Sequence, residues 1–229
     1  MATYNGELYV GEQISSILAQ LGPNDEIIVS DDASVDSTLA IIRSFKDPRI
    51  SIIQGPAIGS AMKNFESALC CANGKYIFLC DQDDTWLPDK IQRVTTLLTE
   101  HDLVLTDCKV VDQAGQTIHD SFFKLRGSQP GFLRNLFKNS YIGCCMAFRR
   151  EVLSYALPFP TSIYMHDWWI GLLVERLGHV YFYPQPLIAY RRHGNNASPT
   201  GEQAYHWKRQ LSNRLILAWF IAKRLIHKL

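Results

Sequence analysis

Long apolar runs are scarce in this chain of 229 residues. The longest, at residues 215–222, falls far short of the roughly 20 residues that a bilayer span requires, so no membrane-spanning helix is expected. Met1 leads directly into Ala2-Thr3-Tyr4-Asn5-Gly6 with no basic and apolar leader, and no secretory signal is expected either. Cysteine occurs six times but never as Cys-x-x-Cys, and no histidines stand at zinc-finger spacing. That excludes a zinc module. Cys70, Cys71, Cys80, Cys108, Cys144 and Cys145 read as small core residues in a reducing, cytoplasmic compartment. Acidic residues vanish after residue 206, where Lys208, Arg209, Arg214, Lys223, Arg224 and Lys228 stand unopposed. The preceding residues carry 17 basic against 22 acidic side chains, so a formal net charge of +1 hides an acidic body and a basic tail. The acidic body would repel a phosphate backbone, and nucleic-acid binding is not expected. No low-complexity tract, linker or glycine-rich basic loop near the N-terminus interrupts the chain.

What is present is a core-forming sequence with 47% apolar residues, enough for one substantial domain. Val10, Ile14, Ile17, Leu18 and Leu21 recur at helical spacing before Gly22, predicting a helix over 7–21. The β-branched residues 26–30 predict a strand that delivers Asp31 and Asp32 to a loop, and a helix carrying Leu39, Ile42 and Phe45 follows. The same unit repeats with a strand at 50–53, a helix at 60–72 and a strand at 76–80, then a helix at 88–99 and a strand at 103–106. Such alternation predicts an α/β fold with a mostly parallel sheet. Past Asp107 the regularity ends: a strand and turn at 110–115, a polar loop at 120–131, a strand at 144–148, a helix at 167–177 and extended segments at 179–183 and 187–190 are predicted.

The chemistry concentrates where these strands end. Residues 75–88 run from an apolar strand into Asp81, Asp83 and Asp84, and then towards a proline-started helix. Ionised carboxylates at a sheet edge need pairing, hydrogen bonds or a cation, and an oxygen-only donor set suits Mg²⁺ or Mn²⁺ bridged to a diphosphate. An acidic turn capping the next helix is the alternative reading. Ligands of parallel sheets sit beyond the carboxyl ends of the strands, and both acid clusters, Asp31-Asp32 and Asp81–Asp84, fall there. At Ala2-Thr3-Tyr4-Asn5-Gly6, an aromatic could pack on a base and helix-start amides could bind an anion, or the segment is a plain turn. In Met165-His166-Asp167-Trp168-Trp169, aromatic burial would raise the proton affinity of Asp167 towards that of a working base, and a helix cap is the alternative. Tyr190-Arg191-Arg192-His193-Gly194-Asn195-Asn196 ends a strand with cations that could neutralise phosphate or merely be solvated.

In order along the chain, Ala2-Thr3-Tyr4-Asn5-Gly6, Ser30-Asp31-Asp32-Ala33-Ser34-Val35-Asp36, Cys80-Asp81-Gln82-Asp83-Asp84-Thr85-Trp86-Leu87-Pro88-Asp89-Lys90, His166-Asp167-Trp168-Trp169 and Tyr190–Asn196 resemble the motifs of family 2 glycosyltransferases, over about residues 1–200. Each motif alone is weak, and the ordered set is specific. The resemblance implies a GT-A fold, with a nucleotide-sugar-binding half at 1–107 and an acceptor-binding half carrying the base at 108–200. Residues 201–229 would follow as a basic amphipathic helix. It also implies a nucleotide-sugar donor, a glycan or lipid-linked glycan acceptor, and Mg²⁺ or Mn²⁺ as cofactor. Ala2, Tyr4, Asp31 and Asp32 would lie at the base, with Asp81 towards the ribose or metal. Asp83 would ligate the metal, and His193 would lie near the metal or diphosphate. Asp167 would be the catalytic base. Asp84, Trp86, Gly143, His166, Trp168 and Arg191 would support the site or the acceptor.

One departure from the family pattern concerns the start. Members usually carry several β-branched residues before the Ala-Thr-Tyr-Asn-Gly turn, whereas here Met1 takes the last position of that strand, so a shortened N-terminal strand is expected. Two rival readings are a sugar nucleotidyltransferase, which normally needs the glycine-rich basic loop that is missing, and a non-catalytic relative that binds a sugar nucleotide. In the tail, Trp207, Leu211, Leu215, Ala218, Trp219 and Ile226 mix with Lys and Arg at helical spacing. This resembles an interfacial helix in peripheral contact with anionic membrane, at the inner face of the cell membrane. A C-terminal helix packed on the body through the same stripe is the alternative.

Overall fold

A computed structural model describes residues 1–194 and 207–226. Asn195, Asn196, Tyr205 and Lys228, and the side chains of Trp207 and Lys208, lie outside the described residues.

The first third of the chain alternates as its apolar periods dictate. Strands β1 (Ala2–Thr3), β2 (Ile27–Asp31) and β3 (Ile50–Gln54) form a parallel three-stranded sheet, with Thr3 opposite Asp31 and Ile27 opposite Ile50. Helices α1 (Val10–Leu18), α2 (Thr38–Ser44) and α3 (Ala61–Cys71) intervene. Residues Val10, Ile14, Ile17, Ile42, Phe65 and Leu69 bury the inward helix faces. β1 is two residues long. Met1 is nonetheless buried, and its amino group donates to the carbonyl of Ile28 at 2.8 Å.

The next strand departs from expectation. β4 (Tyr76–Phe78) leaves the parallel sheet and pairs antiparallel with β8 (Met146–Arg149), Ile77 facing Phe148. Apolar period shows that a strand forms, but not which edge it takes. Here β8 brings Met146, Ala147 and Phe148, all buried. Two backbone bonds then stitch the sheets together beside the acid loop: Ala2 N–H donates to Cys80 O at 3.3 Å, and Leu79 N–H to Met146 O at 3.0 Å.

The second sheet runs β4-β8-β6-β9-β5. Its centre is β6 (Leu103–Val111), antiparallel to β8 and parallel to β9 (Val180–Arg191). β7 (Thr117–His119) pairs with β6, and β5 (Thr85–Trp86), which its sequence does not announce, pairs with β9. The segments expected at 103–106 and 110–111 are one strand. Asp107 does not break it, because its carboxylate accepts from Cys108 N–H, Ser121 Oγ and Phe123 N–H. Likewise 179–183 and 187–190 merge into β9, and the missing donors of Pro184 and Pro186 coincide with register shifts against β6.

The remaining helices are α4 (Lys90–Leu97), α5 (Phe122–Arg126), α6 (Phe132–Phe137), α7 (Leu153–Ala156), α8 (His166–Leu177) and α9 (Trp207–Ile226). Pro88 does not start α4, whose N-cap is Asp89 in a left-handed conformation with φ 65°. Part of the span expected to be a polar loop is helical, since Ser121 caps α5 by accepting from Lys124 N–H. Cys70 and Cys71 are exposed, whereas Cys80, Cys108, Cys144 and Cys145 are buried as expected, and all six are free thiols.

Helix α8 is buried from His166 through Val174. Such a helix admits neighbours only through small residues, and Gly171 supplies the gap. A Cβ there would stand 2.5 Å from the ring of Tyr141, whose hydroxyl donates to Glu175 Oε1 at 2.8 Å. Gly171→Ala is therefore expected to destabilise the fold by about 1–3 kcal/mol through overpacking, despite alanine's better helix propensity. Denaturant unfolding of the two proteins at one pH measures this.

Candidate active site

The turn after β1 is tied residue by residue to the acid loop after β4 and to the segment from the loop after β2 into α2. Tyr4 N–H donates to Gln82 Oε1 and Gln82 Nε2 donates back to Tyr4 O, both at 2.9 Å. Asn5 N–H donates to Ser34 Oγ, Gly6 N–H to Thr38 Oγ1 at 2.7 Å, and Glu7 N–H to Asp36 Oδ2. The amides expected to be open to an anion are thus already satisfied within the chain. A Cβ at Gly6 would lie 2.3 Å from Gln82 Oε1 and would displace the amide that holds the Tyr4 backbone. Tyr4 itself projects into solvent, 54% exposed.

Asp31 and Asp32 are both buried. Asp31 organises its own loop by accepting from Thr3 Oγ1 at 2.8 Å, Ser34 N–H at 2.8 Å and Ser34 Oγ at 2.7 Å. Asp32 accepts from the backbone N–H groups of Ile58 and Gly59 at 3.3 and 2.9 Å, tying the loop after β3 to the same edge. Ala2 sits one residue earlier in β1, partly buried against the core.

The acid loop follows β4 and caps no helix, because β5 intervenes before α4. Asp83 Oδ2 lies 2.8 Å from His193 Nε2, whose ring stacks on Tyr9 at 5.0 Å. Arg191 is a buried clasp: its Nε donates to Asp83 O at 3.0 Å, its Nη1 to Gln113 O at 3.1 Å and its Nη2 to Glu12 Oε2 at 2.8 Å. Its backbone N–H donates to Asp84 Oδ1 at 3.0 Å. Asp84 is buried, and among the described residues its Oδ2 has no hydrogen-bond partner that meets the distance and angle of one, with the Cys144 thiol nearby. Burial, reinforced by Asp83 and Asp81, pushes its carboxyl well above the usual range. Burial also pushes Asp81 up to about 7, with Asp83 and Asp167 adding to the effect.

Asp167 enters this field from another element. It sits in the first turn of α8, whose N-cap is Met165, so it is not the helix cap. Its Oδ1 accepts from Trp168 N–H at 2.6 Å, yet burial pushes the carboxyl up to about 7. His166 beside it is held neutral, its pKa lowered by burial to about 4, and its ring stacks on Phe65 at 4.3 Å. Gly143 lets that ring approach: a Cβ there would stand 3.3 Å from His166 Nε2. Trp168 anchors the turn by donating Nε1–H to Asn135 O at 2.7 Å.

Sequence reading passed over several residues that hold the site. Gln82 binds both polar groups of the Tyr4 backbone, and Gln13 Nε2 donates to Asp81 O at 3.0 Å. Lys90 is fully buried, with Nζ 3.0 Å from Cys144 O and 4.3 Å from the Trp86 ring centre. Trp86 lies in β5 and Lys90 opens α4, so no helical spacing links them in sequence and only the fold brings them together.

The donor set suits a hard divalent cation. Asp81, Asp84 and Cys144 bring one ligand atom each within 4.8 Å of one another, and Asp83 adds a further carboxylate between them in sequence. The adjacent Cys145 sulfur and burial hold Cys144 well above its usual range, so it stays a thiol and carboxylate oxygen dominates. The Asp84 Oδ2, without a hydrogen-bond partner among the described residues, and the repulsion of Asp84 by Asp83 and Asp81 are what a cation would relieve.

The model of the family "Glycosyl transferase family 2" matches residues 1–156. The chain belongs to that family. Among its family relatives, the dTDP-rhamnosyl transferase RfbG of Shigella flexneri is 32% identical over 216 residues, covering 86% of this chain and 72% of RfbG. The UDP-Glc:alpha-D-GlcNAc-diphosphoundecaprenol beta-1,3-glucosyltransferase WfgD of Escherichia coli is 26% identical over 176 residues, covering 76% of this chain and 67% of WfgD. A glycosyltransferase of Haemophilus influenzae is 29% identical, and 66% of its length is covered. The chain therefore spans about two thirds of the length of such relatives. Among solved structures, S. aureus TarS 1-349 in complex with UDP-GlcNAc superposes with a TM-score of 0.72 at 20% identity, covering 98% of this chain and 65% of that one. A mannosyltransferase of Pyrobaculum calidifontis in complex with GDP-Man and Mn²⁺ gives 0.62 at 21% identity, covering 97% and 62%. Both likenesses establish the GT-A fold of the family.

A carboxyl raised in the folded state lowers stability once it ionises. Between 3.8, the ordinary value, and about 7, native Asp167 holds a proton that the unfolded chain has released, so its contribution to stability falls as pH rises through that window. Asp167→Asn is therefore expected to melt above the parent protein at pH 8, by an amount of the order of a few kcal/mol in stability, and the gap should close towards pH 4. Thermal unfolding at several pH values measures it.

Proposed function

We propose that this chain is an inverting, metal-dependent glycosyltransferase that moves a sugar from a UDP- or dTDP-linked donor to a hydroxyl of a polysaccharide or lipid-linked glycan. The observation that carries this reading is the meeting of two buried carboxyls pushed up to about 7, Asp81 after β4 and Asp167 on α8, the charge of Asp167 adding to the rise of Asp81. Residues 1–107 would hold the donor and residues 108–200 the acceptor. The printed activities of RfbG and WfgD, a rhamnosyl and a glucosyl transfer, support the reaction class.

Tyr4, exposed beside the buried Asp32, offers an aromatic face and a carboxylate to a nucleotide base, with Ala2 and Asp31 shaping the edge. Mg²⁺ or Mn²⁺ held by Asp83 and Asp81, with His193 alongside, would neutralise charge on the departing diphosphate. The protein then needs one base. Asp167 takes the proton of the acceptor hydroxyl. The freed oxygen bonds to the anomeric carbon while the carbon–oxygen bond to the diphosphate breaks and its electron pair leaves with the diphosphate. Attack opposite the leaving group inverts the centre, and a single carboxylate suffices for it. Asp84, Trp86, Gly143, His166, Trp168 and Arg191 support these groups rather than react.

Asp167→Asn is expected to retain donor binding and to lose turnover by two orders of magnitude or more, the usual contribution of a general base. In the parent protein kcat/KM should rise with pH through about 7 as Asp167 ionises. Normal turnover by Asp167→Asn would dismiss this base. Asp83→Ala should abolish metal-dependent nucleotide binding, read by titration calorimetry with UDP and dTDP in the presence of Mn²⁺ or chelator.

A further inference from the structure

Helix α9 is amphipathic in an inverted sense. It packs on the body through Leu217 and Ile221. Two of its cations also point inward: Arg214 donates to Phe137 O, and Arg224 to the carbonyls of Tyr155, Leu157 and Pro158. Its outward face instead carries Leu211, Leu215, Trp219 and Ile226, spaced by four and seven residues and between 46% and 71% exposed. A helix on the surface of a water-soluble body normally turns polar residues outward.

The apolar face does not stop at α9. Across an open groove of about 730 Å³, lined by Phe132, Ala218, Ala222 and Leu225, helix α6 exposes Leu133 and Phe137 at 68% and 62%. Cations rim this surface: Arg134 and Arg176 at the groove, exposed Lys138 on the α6 side, and Lys223 over the Trp219 ring at 5.3 Å. Residues 121–150 and 207–229 contain no acid. Glu175, next to Arg176, is turned onto the Tyr141 hydroxyl, Asn135 Nδ2 and Gly131 N–H.

The geometry points to a composite membrane-docking face, built from α6 and α9 together, that seats on a bilayer rich in anionic lipid. Charge complementarity selects this occupant. A second copy of the chain would bring the same acid-free cationic rim against itself, whereas an anionic surface satisfies every rim cation and receives Trp219, Leu215, Leu133 and Phe137 at the headgroup boundary. The sequence alone points to residues 207–229; the fold adds α6, which lies about seventy residues earlier in the chain. None of the exposed residues of this face belongs to the aspartate cluster, so the face is tested apart from the proposed reaction.

Flotation of the full chain with phosphatidylcholine vesicles, with and without phosphatidylglycerol, tests the proposal. Binding is expected only with phosphatidylglycerol and is expected to weaken with salt. Leu215→Glu/Trp219→Glu should abolish it, and Arg134→Gln/Lys138→Gln on α6 should weaken it by a factor of about five per cation. All four positions are exposed, so unchanged melting temperatures will show that the variants fold. The proposal is overturned if the parent chain fails to float, if it binds both vesicle types equally, or if the α6 variant binds as well as the parent. Self-association in sedimentation equilibrium that Leu215→Glu/Trp219→Glu abolishes, without lipid binding, would assign the face to a second copy instead.

Discussion

The constraint on which this structure turns is the crowding of four carboxyl groups, Asp81, Asp83, Asp84 and Asp167, where two sheets meet. Burying one uncompensated carboxylate is costly, and burying several together is more so. The chain holds them with a scaffold of unusual density. Arg191 ties Asp83, Asp84, Glu12 and Gln113 into one unit, and its guanidinium lies 5.0 Å from the Tyr9 ring. Tyr9 in turn stacks on His193. The cluster is thereby fixed by β9 and α1 from outside the loop that contains most of it.

This crowding sets stability against chemistry. Left to optimise stability, a core beside Cys80, Met146 and Trp169 would hold no acid. Asp81 and Asp167, both raised to about 7, exchange protons near neutrality because the fold refuses to solvate them fully. Of the non-glycine residues at positive φ among the described residues, Asn5, Ala33 and Ala57 lie in the turns that follow β1, β2 and β3, whereas Lys46 precedes β3 and Asp89 caps α4. Desolvated carboxyls collected where two sheets meet, beside an otherwise apolar core, are the groups that the proposed reaction would use.

How much of this could be read from sequence follows from what each residue interacts with. Parallel alternation through β3 was legible because helix and strand periods are local properties. The partner of β4 was not, since the choice between β1 and β8 depends on Met146–Arg149, some seventy residues away. That Asp31-Asp32 and Asp81–Asp84 share an edge followed from the rule for strand carboxyl ends. Arg191 read as a cation open to phosphate, because its partners Glu12 and Gln113 come from α1 and the turn before β7 and nothing local predicts them. Lys90 escaped notice for the opposite reason: a lysine at the start of an amphipathic helix looks solvent-bound, and only the fold places it between the Trp86 ring and the Cys144 carbonyl.

The tail shows where periodicity itself becomes ambiguous. Leucines and tryptophan at helical spacing indicate a face that avoids water, but the pattern does not reveal whether protein or lipid provides the shelter. In α9 two apolar stripes lie on one helix, Leu217 with Ile221 inward and Leu211, Leu215 and Trp219 outward. The deciding detail is where the charges go. Arg214 and Arg224 fold back onto carbonyls of α6 and of the segment after α7, which frees the outer face from the need to shelter them. A helix that sends Arg214 and Arg224 inward and Trp219 outward suits two surfaces, the protein on one side and, on the proposed reading, an apolar boundary on the other.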